Sequence, residues 1–226
     1  MFEIKKDKTK ICILGTGDGW QLAPKVNTSI VYGLNDYIFA EKYGIKIDYL
    51  FIMDILDEKP QIVSGINNLK DVITRINKFN IPFVSPFVYD EIPLSQAFPL
   101  EQAYKEFGML YFSNTIAYMI CFAILNGAKE IELFGVNQAS SSEYFYEKAG
   151  IEYWLGIANG RNIKIIINGD KSEVLGNKKR FGGNLLYGYN QTYEEIQKIN
   201  EKYGTTRIKK LTAPMINKSR TIRTIN

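Results

Sequence analysis

The sequence predicts an α/β fold: a three-layer sandwich on a mostly parallel sheet, followed by a basic C-terminal extension. Six short apolar runs rich in Val, Ile, Phe and Tyr recur along the chain, bounded by Gly, Asn, Asp or Pro. Helix-like segments separate most of them, and strands that alternate with helices pair in parallel with both sheet faces covered. The length of 226 residues gives room for one large domain, or one domain plus a tail.

The first run, "KICIL", opens directly into Gly15, Thr16, Gly17, Asp18 and Gly19. A glycine turn after a first strand lets a ligand come close to the backbone. The dinucleotide fingerprint is G-x-G-x-x-G, whereas this turn reads G-x-G-x-G, so a phosphate seat and a plain tight turn both remain open. "TSIVYG" is the next strand, with Asn35 and Asp36 just past it, and "NDYIFAEKYG" closes on a glycine as a helix C-terminus does. "DYLFIMD" ends a third strand on Asp54, with Asp57 beyond. In "SGINNLKDVITRINKFN", Ile66, Leu69, Val72, Ile73 and Ile76 keep helical spacing and Ser64 fits an N-cap.

"IPFVSPF" is the fourth strand. The stretch "YDEIPLSQAFPLEQAYKEFGMLYF", punctuated by Pro93 and Pro99, reads as a long loop or lid. "SNTIAYMICFAILNG" opens at Ser113 and stops at Gly127, apolar on nearly every side like a helix buried against a sheet. After the strand "EIELFGV" comes "SSEYFYEKAGIEYWLGIANGR", a helix or a broken pair, and then the strand "IKIIING". Beyond Gly176 the pattern weakens. "TYEEIQKINEKYG" reads as an amphipathic helix and the last residues as an extended tail. The expected division is a nucleotide-binding domain over 1–176 and a basic extension over 177–226.

Composition narrows the chemistry. The chain has no histidine and two cysteines, Cys12 and Cys121. Imidazole acid–base catalysis, histidine triads, zinc sites and thiolate clusters are therefore excluded, leaving carboxylates, tyrosines, amides, hydroxyls, lysines or an oxygen-held metal. Nothing in the composition asks for a divalent metal. Residues 171–226 carry 12 Lys+Arg against 4 Asp+Glu, while residues 1–170 carry 16 against 20. A basic tail on a neutral-to-acidic body suits approach to a polyanion such as DNA, or is simply a solvated end. No apolar run approaches the length that spans a bilayer, and the N-terminus lacks a signal-peptide core, so no membrane association and a cytoplasmic setting are expected. Oligomeric state is not legible.

Polar residues gather where the predicted strands end, which is where ligands bind in open α/β sheets. These are Gly15 to Gly19, then Asn35 and Asp36, then Asp54, and finally Asn137, Gln138, Glu143, Tyr144 and Tyr146. Ser113, Asn114 and Thr115 join them at a helix N-terminus, where free N–H groups favour an anion. Each has a plainer reading. Asn35, Asp36 and Ser113 serve equally as helix caps, Asp54 as a turn residue, and the tyrosines as core aromatics.

In the order of these motifs, the chain resembles Rossmann-like sugar transferases of the bacterial sialyltransferase type, together with a group of phage proteins. The residues that carry the likeness are the glycine turn, "YGLN", the aromatic third strand, "YFSNTIAYMICFAILNGAKEIELFGVN", the Glu-Tyr-x-Tyr element at 143–146, "EYWLGIANGRNIKI" and "LLYGY". It covers roughly residues 10–190. The resemblance implies a pocket for a nucleotide sugar donor. Gly15–Gly19 would face phosphate or ribose, Asn35 the nucleotide, Ser113–Thr115 the transferred group, and Tyr144 or Tyr146 the leaving phosphate. Such transferases use a histidine base, which this chain lacks; Glu143 or Asp54 is the substitute.

The leading expectation is a phage-type glycosyltransferase (cytoplasmic in the host cell), with a hydroxylated DNA base as one acceptor. The alternative is a non-catalytic protein that sequesters a nucleotide. A pterin-type pyrophosphokinase lacks its metal and phosphate-loop signatures here. A dinucleotide oxidoreductase gains from the spacing of Asp36 but loses from Pro24, which intrudes where a helix should open.

Overall fold

The computed structural model describes residues 9–24, 30–34, 44–54, 73–74, 76–77, 80–138, 144–169 and 172–175. The extension over 177–226 lies outside the described residues, as do Ser64, Ile66, Leu69 and Val72 of the expected second helix.

Among the described residues, seven strands form one sheet: β1 (Lys10–Leu14), β2 (Ile30–Leu34), β3 (Tyr49–Phe51), β4 (Phe83–Ser85), β5 (Ser95–Ala97), β6 (Glu130–Phe134) and β7 (Lys164–Ile167). Their spatial order is β5-β4-β3-β2-β1-β6-β7, and every pairing is parallel. All six expected strands are present. The seventh corrects the sequence reading: "YDEIPLSQAFPLEQAYKEFGMLYF" is not one long loop but contains edge strand β5 and helix α1 (Leu100–Phe107). The two prolines punctuate these elements instead of breaking them. Pro93 precedes the strand, and Pro99 stands at the N-cap of the helix, where a missing N–H costs nothing. A three-residue strand with Ser and Gln in it is too short and too polar to announce itself by alternation.

The strand alternation sorts side chains cleanly. Ile11, Ile13, Tyr32, Tyr49, Phe51, Ile131 and Leu133 face one core, which α2 (Thr115–Leu125) and α3 (Tyr144–Gly160) cover. Cys12, Leu14, Val31 and Phe134 face the other side and meet Ala23, Ile45 and Ile47. Leu50, Ile52 and Phe83 continue that face against Ile76, one of the helical residues before β4. Helix α2 is buried at eight of its eleven positions, so its uniform apolarity reflects packing on both flanks. "SSEYFYEKAGIEYWLGIANGR" contains one continuous helix, not a broken pair.

Both thiols are free and buried, as expected for small hydrophobes. Burial, reinforced by the carboxylate of Glu132, pushes the Cys12 thiol up to about 12. Burial also raises Cys121, so neither supplies a thiolate near neutrality. Among the described residues, no helix is long and apolar enough to cross a membrane.

The strand order fixes where a ligand belongs. From β1 the chain builds outward through β2 to β5, then returns to place β6 on the other side of β1. The strand order therefore reverses between β1 and β6, and in doubly wound sheets ligands bind at the carboxyl edge beside such a switch point.

Candidate functional site

The two switch-point loops are joined backbone to backbone. Gly15 N–H donates to Phe134 O and Gly17 N–H to Gly135 O, both at 2.7 Å. A Cβ on Gly17 would stand 2.6 Å from the Asn137 side-chain nitrogen, and one on Gly135 would stand 2.6 Å from Gly17 O. Gly135 also holds φ at 65°, the left-handed region. Two of the N–H groups in "GTGDG", those of Gly15 and Gly17, are engaged by Phe134 and Gly135, so these two glycines serve the close approach of the chain after β1 to the end of β6. Trp20 follows in a 3-10 turn (Trp20–Leu22) and its Cβ lies beside Gly135.

Polar character at this edge comes from amides. Asn137 Oδ1, Gln138 Oε1 and Asn168 Nδ2 are shut off from water and have no hydrogen-bond partner. Asn137 and Gln138 follow β6, and Asn168 follows β7, with its N–H donating to Leu133 O at 2.9 Å. Gln138 is 8% exposed and holds φ at 49°. Buried polar atoms are nearly always paired, because an unmade hydrogen bond there costs about 1–3 kcal/mol. Only two other atoms share this condition among the described residues: Tyr32 Oη in the aromatic core and Gln96 Nε2 at the β5 edge. The concentration at one rim is what marks it.

A strap after β7 closes this side. Ser172 Oγ donates to Val136 O at 2.7 Å, and Glu173 N–H donates to Asn137 O at 2.8 Å. Leu175 N–H donates to the Glu152 carboxylate at 2.7 Å, tying the strap to α3.

Ser113 and Asn114 act across helices. The cap of α2 is Asn114, not Ser113: Asn114 Oδ1 accepts from Ala117 N–H at 3.0 Å. Its Nδ2 donates to the Glu147 carboxylate at 3.1 Å, while Ser113 Oγ donates to Glu147 O at 2.5 Å. The start of α2 is thereby clamped to the first turns of α3, and Gly150 lets the crossing close, since a Cβ there would collide with Ser113. Asn114→Ala is expected to lose about 1–2 kcal/mol of unfolding free energy in urea, the usual worth of a cap, because it removes both the cap acceptor and the amide donor that ties α2 to Glu147. Asn114→Ser keeps a cap acceptor without setting a second carboxylate against Glu147 and should lose less.

The structure brings Gly15, Thr16, Gly17, Asp18 and Gly19 together with Asn137 at the switch point, and places Thr115 as the first residue of α2. Asp54, half-buried, lies just past β3, two strands from β1. Asn35, Asp36, Glu143 and the side chains of Tyr144 and Tyr146 lie outside the described residues, although both tyrosines belong to the first turn of α3. Sequence reading gave Gln138 no role and missed Asn168. The available signal was that "IIING" ends in an amide directly after an apolar strand, as "LFGVN" does. Among the described residues, no three metal-ligating side chains converge.

Fold and rim together define a doubly wound α/β protein whose switch point carries unpaired amides. No family model and no curated protein matches the chain. Among solved structures it is similar to the sialyltransferase CstII from Campylobacter jejuni in complex with a substrate analogue, cytidine-5'-monophosphate. That likeness has 18% identity over 74% of this chain and 82% of that chain, with a TM-score of 0.46. The same sialyltransferase in complex with CMP-3FNeuAc matches at 18% identity over 70% and 79%, with a TM-score of 0.44.

Proposed function

We propose that this protein is a nucleotide-sugar-dependent glycosyltransferase with its donor at the β1/β6 switch point. The observation that carries the reading is the set of three unpaired amide atoms at that rim, which need a polar ligand to complete their hydrogen bonds. The motif order of the sequence supports the sugar-transferase class. In this reading the donor's polar groups meet Asn137 and the neighbouring amides. Tyr144 and Tyr146, in the first turn of α3, stabilise the charge that develops on the leaving phosphate. Glu143 or Asp54 takes the proton of the acceptor hydroxyl, a task for which burial would have to raise the carboxyl above its usual range. The acceptor proposed is a hydroxylated base in DNA, for which the 12 basic residues after position 170 would supply phosphate contacts.

One observation favours a second reading, a sequestering protein without turnover: the chain has no histidine to act as base. Mass spectrometry separates the two. Purified protein incubated with cytidine, uridine and guanosine nucleotide sugars should hydrolyse or transfer one of them; recovery of an intact bound donor in every case favours the binder. For the acceptor, full-length protein should bind DNA in a salt-sensitive way, and truncation after Gly176 should abolish that binding. Unchanged binding after truncation removes the DNA assignment.

A further inference from the structure

We infer that Gln138, Asn168 and Asn137 form a receptor for a vicinal diol of the ligand. The inference deepens the nucleotide-sugar reading and relies on it only for the source of the diol. As oriented, the set offers two acceptor oxygens, Asn137 Oδ1 and Gln138 Oε1, and one donor nitrogen, Asn168 Nδ2. A phosphate has only acceptors to give, so it leaves both oxygens unpaired. An ammonium group has only donors, so it leaves the nitrogen unpaired. Two neighbouring hydroxyls satisfy all three atoms, because each hydroxyl both donates and accepts, and they do so whichever way an amide is turned.

Two further features separate these residues from ordinary structural amides. Gln138 holds a left-handed φ of 49° while 92% of its surface is buried, although its amide oxygen gains no partner in return. Backbone strain combined with an unmade hydrogen bond persists where surrounding structure enforces it, commonly at ligand clamps. The backbones of Asn137 and Asn168 are meanwhile anchored: Asn137 O accepts from the strap, and Asn168 N–H is bonded to β6. The side-chain groups are thus held on fixed backbone with their pairing incomplete. Since the three atoms are closed to water in the free protein, a ligand reaches them only after a local opening of the rim, beside the half-buried Asn137 and Asn168.

The diol has two sources in a nucleotide sugar, the ribose and the transferred sugar, and the experiment has an arm for each. In the first measurement, Tm is compared without ligand for the wild type and Gln138→Met, which keeps the volume and deletes the polar atoms. A receptor waiting for its ligand predicts a higher Tm for the variant, whereas an amide that serves the fold predicts a lower one. A lower or unchanged Tm overturns the inference.

In the second, calorimetry compares ribonucleotides, 2′,3′-dideoxynucleotides, nucleotide sugars and free hexoses. A ribose source predicts at least ~10-fold weaker binding of the dideoxynucleotide, and a sugar source at least ~10-fold tighter binding of the nucleotide sugar than of the nucleotide. In either case Gln138→Met and Asn168→Leu must erase that preference, and retention of it in both variants overturns the inference. If no nucleotide or nucleotide sugar binds the wild type, the nucleotide-sugar reading fails. The diol receptor is then judged on Tm and on free hexoses, and failure of those to bind overturns it as well.

Discussion

Gly135→Ala is expected to cost about 3 kcal/mol or more of unfolding free energy, enough to unfold much of a marginally stable domain. Two penalties add. An L-residue in the left-handed region, with φ at 65°, costs about 1–2 kcal/mol by itself. The new methyl would also stand 2.6 Å from Gly17 O and 2.9 Å from Gly15 O. Both atoms are backbone, held by the paired bonds from Gly15 and Gly17 to β6, so neither can swing aside as a side-chain end would. Relief requires the two loops to separate, at the further 1–3 kcal/mol typical of overpacking. Chemical denaturation with matched m-values is the measurement. A loss below about 1 kcal/mol would show that the loops are not welded as described. Gly33→Ala is the internal control, because the atom nearest its added methyl is the tip of the flexible Ile47 side chain.

Trp154→Ala carries the other large effect, a loss of about 3–5 kcal/mol, the usual range for a fully buried aromatic truncated to alanine. Its ring is stacked on Phe112 at 5.0 Å and meets Phe107 edge-on at 4.9 Å, while Nε1–H donates to Tyr111 O at 2.9 Å. One side chain of α3 thus fixes the segment from α1 to Ser113, and with it the entry into α2. Trp154→Phe retains much of the packing but leaves Tyr111 O without its donor, so a smaller loss of about 1–2 kcal/mol is expected in thermal unfolding. Equal losses in the two variants would assign the effect to the hydrogen bond instead of to packing. Full burial also removes Trp154 as a reporter of the rim. Trp20, half-buried beside Gly135, takes that part, and the Trp154→Phe background isolates its fluorescence.

Much of the sheet was legible along the chain. Runs such as "KICIL" and "EIELF" are apolar because central parallel strands are covered on both faces, and that composition is visible locally. Strand β5 and helix α1 were not legible, because a three-residue edge strand of Ser, Gln and Ala carries no periodic signal and the nearby prolines suggest a loop. The cap of α2 was misplaced by one residue for a related reason: Ser113 and Asn114 are both good caps. The choice fell to Glu147, thirty-odd positions away, which engages the Ser113 hydroxyl and the Asn114 amide at once.

At the candidate site, residue types alone determined what chemistry is absent, above all the imidazole chemistry that needs a histidine, and which polar residues end strands. The number of unmade hydrogen bonds was decided only in three dimensions. The sequence left Gly15 and Gly17 open between a phosphate seat and a tight turn, and only the fold shows Phe134 O and Gly135 O accepting their N–H groups. Asn168, given no role from sequence, follows β7 with its amide nitrogen unpartnered, as the amide oxygens of Asn137 and Gln138 are after β6. Whether a polar group is satisfied depends on what lies within about 3 Å of it, and for residues 15, 137 and 168 that neighbourhood is assembled by strand order, not by proximity in the chain.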